Sequence, residues 1–150
     1  PAKAEDKGKR SEEAQKLYVE ALQLESDVQA AKERNNGGEA ERMSRLILAN
    51  YEKLLKLCPG DGDIHVSYGA HLYNTGQYDK ALAQYDQAVE AFRKSKDKTQ
   101  LAQALYFKGS TLYSQQKFPE ALKLLNESLE LDATDEAKEL KKSCEEQVKK

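Results

Sequence analysis

The feature that most constrains this chain is a pair of apolar stripes that recurs 40 residues later. Between residues 63 and 92, apolar and small side chains return every three or four positions, the spacing that places them on one helix face at about 100° per residue. The first stripe consists of His65, Tyr68, Gly69 and Leu72, and the second of Ala81, Leu82, Tyr85, Ala88, Val89 and Phe92. Gly76 separates them, and a glycine there can take the left-handed conformation that ends a helix. The pattern predicts two helices folded back on each other.

Each landmark of this unit has a counterpart further along the chain. The matched pairs are Gly69 with Gly109, Tyr78 with Phe118, Ala81 with Ala121, and Tyr85 with Leu125, all 40 residues apart. A register kept at so many positions indicates an internal repeat. Gly69 and Ala88 are small residues among large ones, which predicts that the two helix backbones approach closely there.

A half-copy of the unit precedes the two full copies. It runs from Tyr51 to Pro59, and its tyrosine lies 34 residues before Tyr85. With these helix-turn-helix units and their small residues, the chain from Leu46 to Ala133 resembles the tetratricopeptide repeat family, whose unit is about 34 residues long. The family's tryptophan position holds His65 and Leu105 here. The resemblance implies an all-α fold, a right-handed α-solenoid of antiparallel helix pairs.

The rest of the chain fits around these repeats as one domain over residues 11–150. The expected segments are a disordered start (1–10), an atypical first helix pair (11–59), two repeats (61–93 and 101–133) and a polar C-terminal capping helix (134–150). Thr134 is placed to cap that last helix, which brings the number of helices to about seven. The charged insertion over 93–100 is predicted to lengthen the two helices beside it.

The first helix carries an apolar stripe that allows two interpretations. Its members, spaced alternately by three and four residues, are Ala14, Leu17, Ala21, Leu24, Val28 and Ala31. The stripe packs on the next helix of its own pair in the first interpretation, which leaves the chain a monomer. Because the spacing is also that of heptads, self-association into a homodimer is the alternative.

Composition limits the partners. Charged residues make up 33% and hydrophobic residues 39%, as expected for a single layer of helices with much exposed surface. With 24 basic residues, 26 acidic residues and a net charge of -2, no global field attracts nucleic acid or an anionic membrane. No apolar run approaches the roughly 18 residues of a membrane span, and no signal-peptide core occurs, so a cytoplasmic location is expected.

The sequence offers little for catalysis or metal binding. His65 and His71 lie about 120° apart around a helix, so we expect the first to pack and the second to be solvated. The aspartates of the 59–63 turn lack the spacing of a calcium loop, and no zinc or phosphate-binding motif occurs. Cys58 and Cys144 are expected to be reduced thiols. We therefore predict no catalytic residue, no metal, no cofactor and no enzymatic activity.

A second stripe exceeds what packing requires. Val66, Ala70 and Tyr73 widen the apolar arc of their helix to about 200°, more than one neighbouring helix covers. In the tetratricopeptide repeat family, such positions line a concave groove that binds peptides or helices of other proteins. The resemblance thus implies a groove formed by Val66, Ala70, Tyr73, Asn74, Tyr106, Phe107, Ser110, Tyr113 and Ser114.

The residues in this groove favour one kind of peptide. The co-chaperone branch of the family holds a C-terminal carboxylate with lysine, arginine and asparagine, whereas the matching positions here are Val66, Ala70, Phe107 and Ser110. A peptide read by apolar and aromatic contacts is therefore expected. The sequence predicts a non-enzymatic protein interaction module in a scaffold or larger assembly. The alternative is a structural or oligomerising helical domain.

Overall fold

The computed structural model describes residues 10–150, which form seven α-helices and no β-strand. The helices are α1 (Glu12–Glu33), α2 (Gly37–Leu57), α3 (Gly62–Asn74), α4 (Tyr78–Ser95), α5 (Lys98–Ser114), α6 (Phe118–Leu131) and α7 (Asp135–Val148). The predicted all-α class and the number of helices are confirmed. The disordered start expected at residues 1–10 lies, apart from Arg10, outside the described residues.

The helices divide into two compact units, with the boundary between Pro59 and Gly60. In the first unit α1 packs on α2. Four of the six residues in the apolar stripe of α1 are buried, namely Ala14, Ala21, Val28 and Ala31. The stripe is thus already covered within the chain, as the first interpretation predicts. That residues 11–150 act as one domain stays a prediction.

The second unit, residues 60–150, is a succession of helices in which each packs on the next, from α3 to α7. Two clusters of buried residues hold it together. One joins α4 to α5 and consists of Ala88, Val89, Phe92, Ala104 and Leu105. The other joins α5, α6 and α7 through Leu112, Ala121, Leu125 and Cys144. The repeats are therefore stacked through contacts between neighbouring helices, as expected for a solenoid.

The charged insertion lengthens the helices on either side of it. Helix α4 has 18 residues against 14 for its counterpart α6, and α5 has 17 against 13 for α3. Asp97 begins α5 by accepting a hydrogen bond from the backbone N–H of Gln100 at 3.0 Å. Thr134 likewise caps α7 through a bond from the N–H of Ala137. The predicted lengthening of α4 and α5 and the predicted cap at Thr134 are confirmed.

Helices α3 and α5 each end in a turn of the same type. The N–H groups of Gly76 and Gln77 bond to the carbonyls of Tyr73 and Leu72, and those of Gln116 and Lys117 bond to Tyr113 and Leu112. This pair of bonds defines a Schellman motif, which needs a left-handed residue just past the helix. Gly76 takes that role with φ +76°, as predicted, but in the second repeat Gln116 takes it with φ +61°. A side chain in this conformation is strained because its Cβ lies close to the following carbonyl.

Substitutions at Gly76 and Gln116 are expected to change stability in opposite directions. Gln116→Gly relieves the strain and should raise the free energy of unfolding by about 0.5–1 kcal/mol, whereas Gly76→Ala introduces it and should lower stability by about 1 kcal/mol. Urea denaturation followed by circular dichroism measures both. A loss of stability in both variants would contradict the role assigned to Gln116.

Three residues differ from their expected exposure. His71, predicted to be solvated, is only 2% exposed, because it belongs to a second buried stripe of α3 with Ile64, seven residues earlier. The counterparts on α5, Ala104 and Thr111, are also buried, and Ala104 packs against α4. Leu46 in α2 and Val148 at the end of α7 recur at the helical spacing of apolar residues in the sequence, which indicates a buried face, yet about half of each is exposed. Their helices bury narrower faces than the sequence indicates.

Candidate functional site

A cavity of about 300 Å³ lies where α3, α4 and α5 meet. We call it the α3–α5 cavity, and its lining consists of Ala70, Tyr73, Asn74, Tyr85, Tyr106, Phe107, Ser110 and Thr111. Six of these belong to the nine groove residues predicted from the sequence. The stripes of α3 and α5 come together because these helices occupy equivalent places in successive repeats. Tyr85 was expected to serve packing alone, and Thr111 was not singled out in the sequence.

Aromatic rings form the deep wall of this cavity. The ring of Tyr85 stacks on Phe107 with centroids 5.8 Å apart, and Phe107 also contacts Tyr106 at 5.6 Å. Tyr85 is almost fully buried, and this burial, with a smaller effect from Tyr73, raises the pKa of its phenol above the usual range. The phenol therefore stays neutral at physiological pH. It can accept or donate a hydrogen bond but has no charge to offer a ligand.

The hydroxyl groups of Tyr73 and Ser114 form a hydrogen bond that holds the Tyr73 side chain at the edge of the cavity. The Oγ of Ser114 donates to the backbone oxygen of Ser110 at 3.2 Å, and the phenol oxygen of Tyr73 lies 2.9 Å from the same Oγ. Because the serine proton is already engaged, Tyr73 is the donor in the second bond. The phenol oxygen of Tyr73 keeps acceptor capacity for a ligand.

The other predicted groove residues lie outside the cavity lining. Val66 packs against the cluster that joins α4 to α5. Tyr113 makes an edge contact with Phe118 at 5.3 Å, which repeats the contact between Tyr73 and Tyr78 at 5.4 Å. Ser114 reaches the cavity only through its bond to Tyr73. Their assignment to a binding surface stays a prediction.

A second cavity, of about 360 Å³, adjoins the first. We call it the α5–α7 cavity, and its lining consists of Thr99, Ala102, Gln103, Tyr106, Phe107, Ser128, Asp132, Thr134 and Glu136. Tyr106 and Phe107 line both cavities, so the two border the same pair of rings. The groove residues predicted from the sequence all lie on the first helix of each repeat, so this part of the surface was not predicted. The acidic residues that flank Thr134 were the available signal.

The α5–α7 cavity has a negative electrostatic character. Burial raises the pKa of Tyr106, and the carboxylates of Glu136 and Glu139, together with Tyr73, raise it further. Within residues 10–150, no lysine, arginine or histidine lines either cavity. A ligand in these cavities meets aromatic rings, hydroxyl groups and carboxylates.

A third cavity, of about 410 Å³, lies over the other side of α4, α5 and α6 and is a weaker candidate. Its charged side chains are paired with each other or with near neighbours. The pairs are Arg93 with Glu127 at 2.6 Å, Lys94 with Glu90 at 2.9 Å and Lys108 with Asp86 at 2.6 Å. Two of these pairs link different helices, the third lies within α4, and together they leave little charge for a ligand.

The polar residues considered for chemistry have structural partners. His65 is buried and its Nδ1 lies 2.8 Å from Oε1 of Gln84, so it packs as predicted. Asp61 caps α3 by accepting from the N–H groups of Asp63 and Ile64. The side chain of Asp63 accepts from Gln100. These contacts account for both aspartates of the turn as helix-end residues.

The tetratricopeptide repeat family matches residues 62–134. The chain contains a tetratricopeptide repeat domain. Its fold is the all-α helical solenoid of that family, which confirms the resemblance noted in the sequence. No curated protein matches the chain. None of the helices between residues 10 and 150 combines the length and the apolar character that crossing a membrane requires.

Solved tetratricopeptide repeat structures resemble this one in fold. The N-terminal domain of stress-induced protein-1 (STI-1) from C. elegans aligns with a TM-score of 0.60 and 18% identity, over 86% of this chain and 97% of that domain. The first repeat domain of Spaghetti (RPAP3), bound to the HSP90 peptide SRMEEVD, aligns with a TM-score of 0.64 and 16% identity, over 88% and 95%. The Sgt2 domain from Aspergillus fumigatus gives 0.61 and 16%, over 87% and 80%.

Proposed function

We propose that the tetratricopeptide repeat domain is a non-enzymatic interaction module that binds a peptide or helix of a partner protein in the α3–α5 cavity. The chain would serve as one part of a scaffold or larger assembly. The observation that carries the proposal is the convergence of Tyr73, Tyr106 and Phe107 with the small residues Ala70 and Ser110 in one cavity. Rings supply apolar contact area, and small residues let a peptide backbone approach.

The side chains that line the α3–α5 cavity favour one kind of peptide. The RPAP3 structure holds an acidic peptide that ends in EEVD. Binding of such a peptide calls for cationic side chains, and none of the described residues that line the α3–α5 cavity is cationic. We therefore propose a ligand held by apolar and aromatic contacts, with hydrogen bonds to the hydroxyl of Tyr73 and to Asn74.

The same lining argues against an enzyme. A general acid or base works best with a pKa near the operating pH. The groups in the α3–α5 cavity that could transfer a proton are phenols, and burial raises the pKa of Tyr85 and Tyr106 still further from neutrality. A binding role needs no such group.

Loss of the Tyr73 ring is expected to lower the affinity for the bound peptide about thirtyfold, because removal of an aromatic anchor from a packed interface costs about 2 kcal/mol of binding free energy. Peptides are first selected from a random library displayed on phage, and their dissociation constants are then measured by fluorescence polarisation for wild type and Tyr73→Ala. Tyr68→Ala is the matched control, since Tyr68 lies half-buried on the same helix outside the cavity lining.

The Tyr68 variant should keep the wild-type affinity, and both variants should keep the helical circular dichroism spectrum. Equal affinity of wild type and Tyr73→Ala for every selected peptide would remove the α3–α5 cavity as the binding site. In the wild-type chain the ring of Tyr113 packs on Phe118. The substitution Tyr113→Ala should therefore lower the stability of the domain more than its affinity for the peptide.

The alternative function is self-association through α1. Four of the six residues of its apolar stripe are already buried in the chain, so a dimer through this stripe would first have to unpack α1 from α2. We therefore propose that the chain is a monomer, and deletion of α1 tests this.

A further inference from the structure

We infer that the α5–α7 cavity receives a basic side chain, arginine or lysine, of the peptide that occupies the α3–α5 cavity. This inference rests on the proposed function, and it specifies the ligand of the same surface. The bound segment would combine an apolar or aromatic residue over α3 with a cationic residue over α7.

The two cavities share two aromatic residues. Tyr106 and Phe107 line both, so a segment that contacts these rings in the α3–α5 cavity lies beside the α5–α7 cavity. The volume of about 360 Å³ accommodates a long side chain together with water.

Unneutralised carboxylates are the second argument. Asp132 and Glu136 line the cavity, and among residues 10–150 neither takes part in an ion pair or a side-chain hydrogen bond. The nearest lysines along α7 are engaged elsewhere, Lys138 with Asp135 at 2.9 Å and Lys141 with Glu145 at 3.8 Å. Two carboxylates at a half-buried cavity therefore lack a cation.

The helix ends at this cavity have opposite effects. Asp132 is the C-cap of α6, where the last carbonyls carry partial negative charge and favour a cation. The N-terminus of α7 carries partial positive charge, but Thr134 caps it and the carboxylates of Asp135 and Glu136 in its first turn offset it. The net field at the cavity is negative, in agreement with the effect of Glu136 and Glu139 on the pKa of Tyr106.

The Tyr106 ring gives the cation a second partner. A guanidinium or ammonium group over a tyrosine face is attracted by the negative charge of the ring, and arginine can stack there while its N–H groups donate to a carboxylate. The hydroxyl groups of Thr99 and Thr134 and the amide of Gln103 complete a polar rim. An acidic peptide at this position would meet repulsion from Asp132, Glu136 and Glu139 with no compensating cation.

The library selection provides the first test. Peptides selected by the wild-type chain are expected to carry arginine or lysine at a fixed distance from an aromatic or aliphatic residue. Synthetic versions in which the basic residue is replaced by glutamine should bind wild type about tenfold more weakly, since hydrogen bonds to charged groups contribute about 1.5 kcal/mol or more.

A variant of the chain makes the test specific to the cavity. In Asp132→Asn with Glu136→Gln, the parent peptide should lose about the same factor, and its glutamine version should lose little more. The matched control is Glu130→Gln with Glu146→Gln, which removes two negative charges at exposed positions that do not line the cavity. That control should keep the preference for the basic peptide, and raised salt should weaken the parent peptide more on wild type than on the cavity variant.

The possible outcomes of these experiments distinguish failure of the basic-residue subsite from failure of the peptide site itself. Selected peptides with no preferred basic residue, or with acidic residues in its place, would overturn the inference, while the α3–α5 site would stand if Tyr73→Ala still weakened them. Equal loss of the basic preference in the control variant would attribute it to net charge and overturn the inference as well. Selection of no peptide at all would overturn both.

Discussion

Replacement of Gly69 by leucine is expected to lower the free energy of unfolding by about 3 kcal/mol. A Cβ atom at this position would lie 2.7 Å from Cε1 and 2.9 Å from Cδ1 of Tyr85, closer than a Cβ atom approaches another carbon in a folded protein. The tyrosine has little room to move, because it is buried and stacks on Phe107. The new side chain must therefore displace the ring or separate α3 from α4. Urea denaturation monitored by circular dichroism measures the loss.

Two other glycines serve as controls for this prediction. A Cβ at Gly109 would lie 3.2 Å from Cγ of Leu125, a tight but adjustable contact, so Gly109→Ala should cost less than Gly69→Ala. Gly38, within α2, has nothing within 4 Å of a Cβ, and Gly38→Ala should raise stability by about 0.5–1 kcal/mol. Stability of Gly69→Leu within about 0.5 kcal/mol of wild type would show that the contact with Tyr85 is not restrictive.

Deletion of residues 1–34 is expected to lower the free energy of unfolding by about 3 kcal/mol or more without changing the oligomeric state. Removal of α1 bares part of the apolar face of α2, where Ile47, Tyr51 and Leu54 are fully buried. Each large apolar side chain exposed to water costs about 1.5–3 kcal/mol. Sedimentation velocity at several concentrations should give a monomer for both the full and the shortened chain.

Removal of residues 1–9 alone is the matched control, because it keeps α1 whole. Its effect on stability should be much smaller than that of the longer deletion. A full-length dimer that becomes a folded monomer when residues 1–34 are removed would reverse the assignment of α1 and establish the oligomerising domain as the better account of function.

The disagreements between sequence and structure have a common physical origin. The pattern around Gly69 predicted a close approach of two backbones, but the group that fills the space is the ring of Tyr85. His71 was expected in water because it lies off the main stripe, yet Ile64 and His71 form a second buried stripe. Periodicity shows which residues share a face. How many faces are covered, and by which side chains, depends on the neighbouring helices.

The sequence by itself determined the features that depend on short stretches of chain. Stripe spacing fixed the helices, Gly76 and Thr134 fixed helix ends, and the offset of 40 residues fixed which positions are equivalent. It also singled out six residues of the α3–α5 cavity, since groove positions follow from the repeat register. These features were predictable because hydrogen bonding at helix ends and helical periodicity act over a few residues.

Only the tertiary structure decided the shape and charge of the α5–α7 cavity. Tyr106 is separated from Asp132 and Glu136 by about half of α5 and all of α6, and no local pattern connects them. They line one cavity because α6 and α7 fold back beside α5. Whether a carboxylate at such a place is neutralised depends on the reach of every neighbouring lysine, and in the sequence lysines and glutamates are interspersed along α7. The packing of the helices therefore gives the α5–α7 cavity its negative charge.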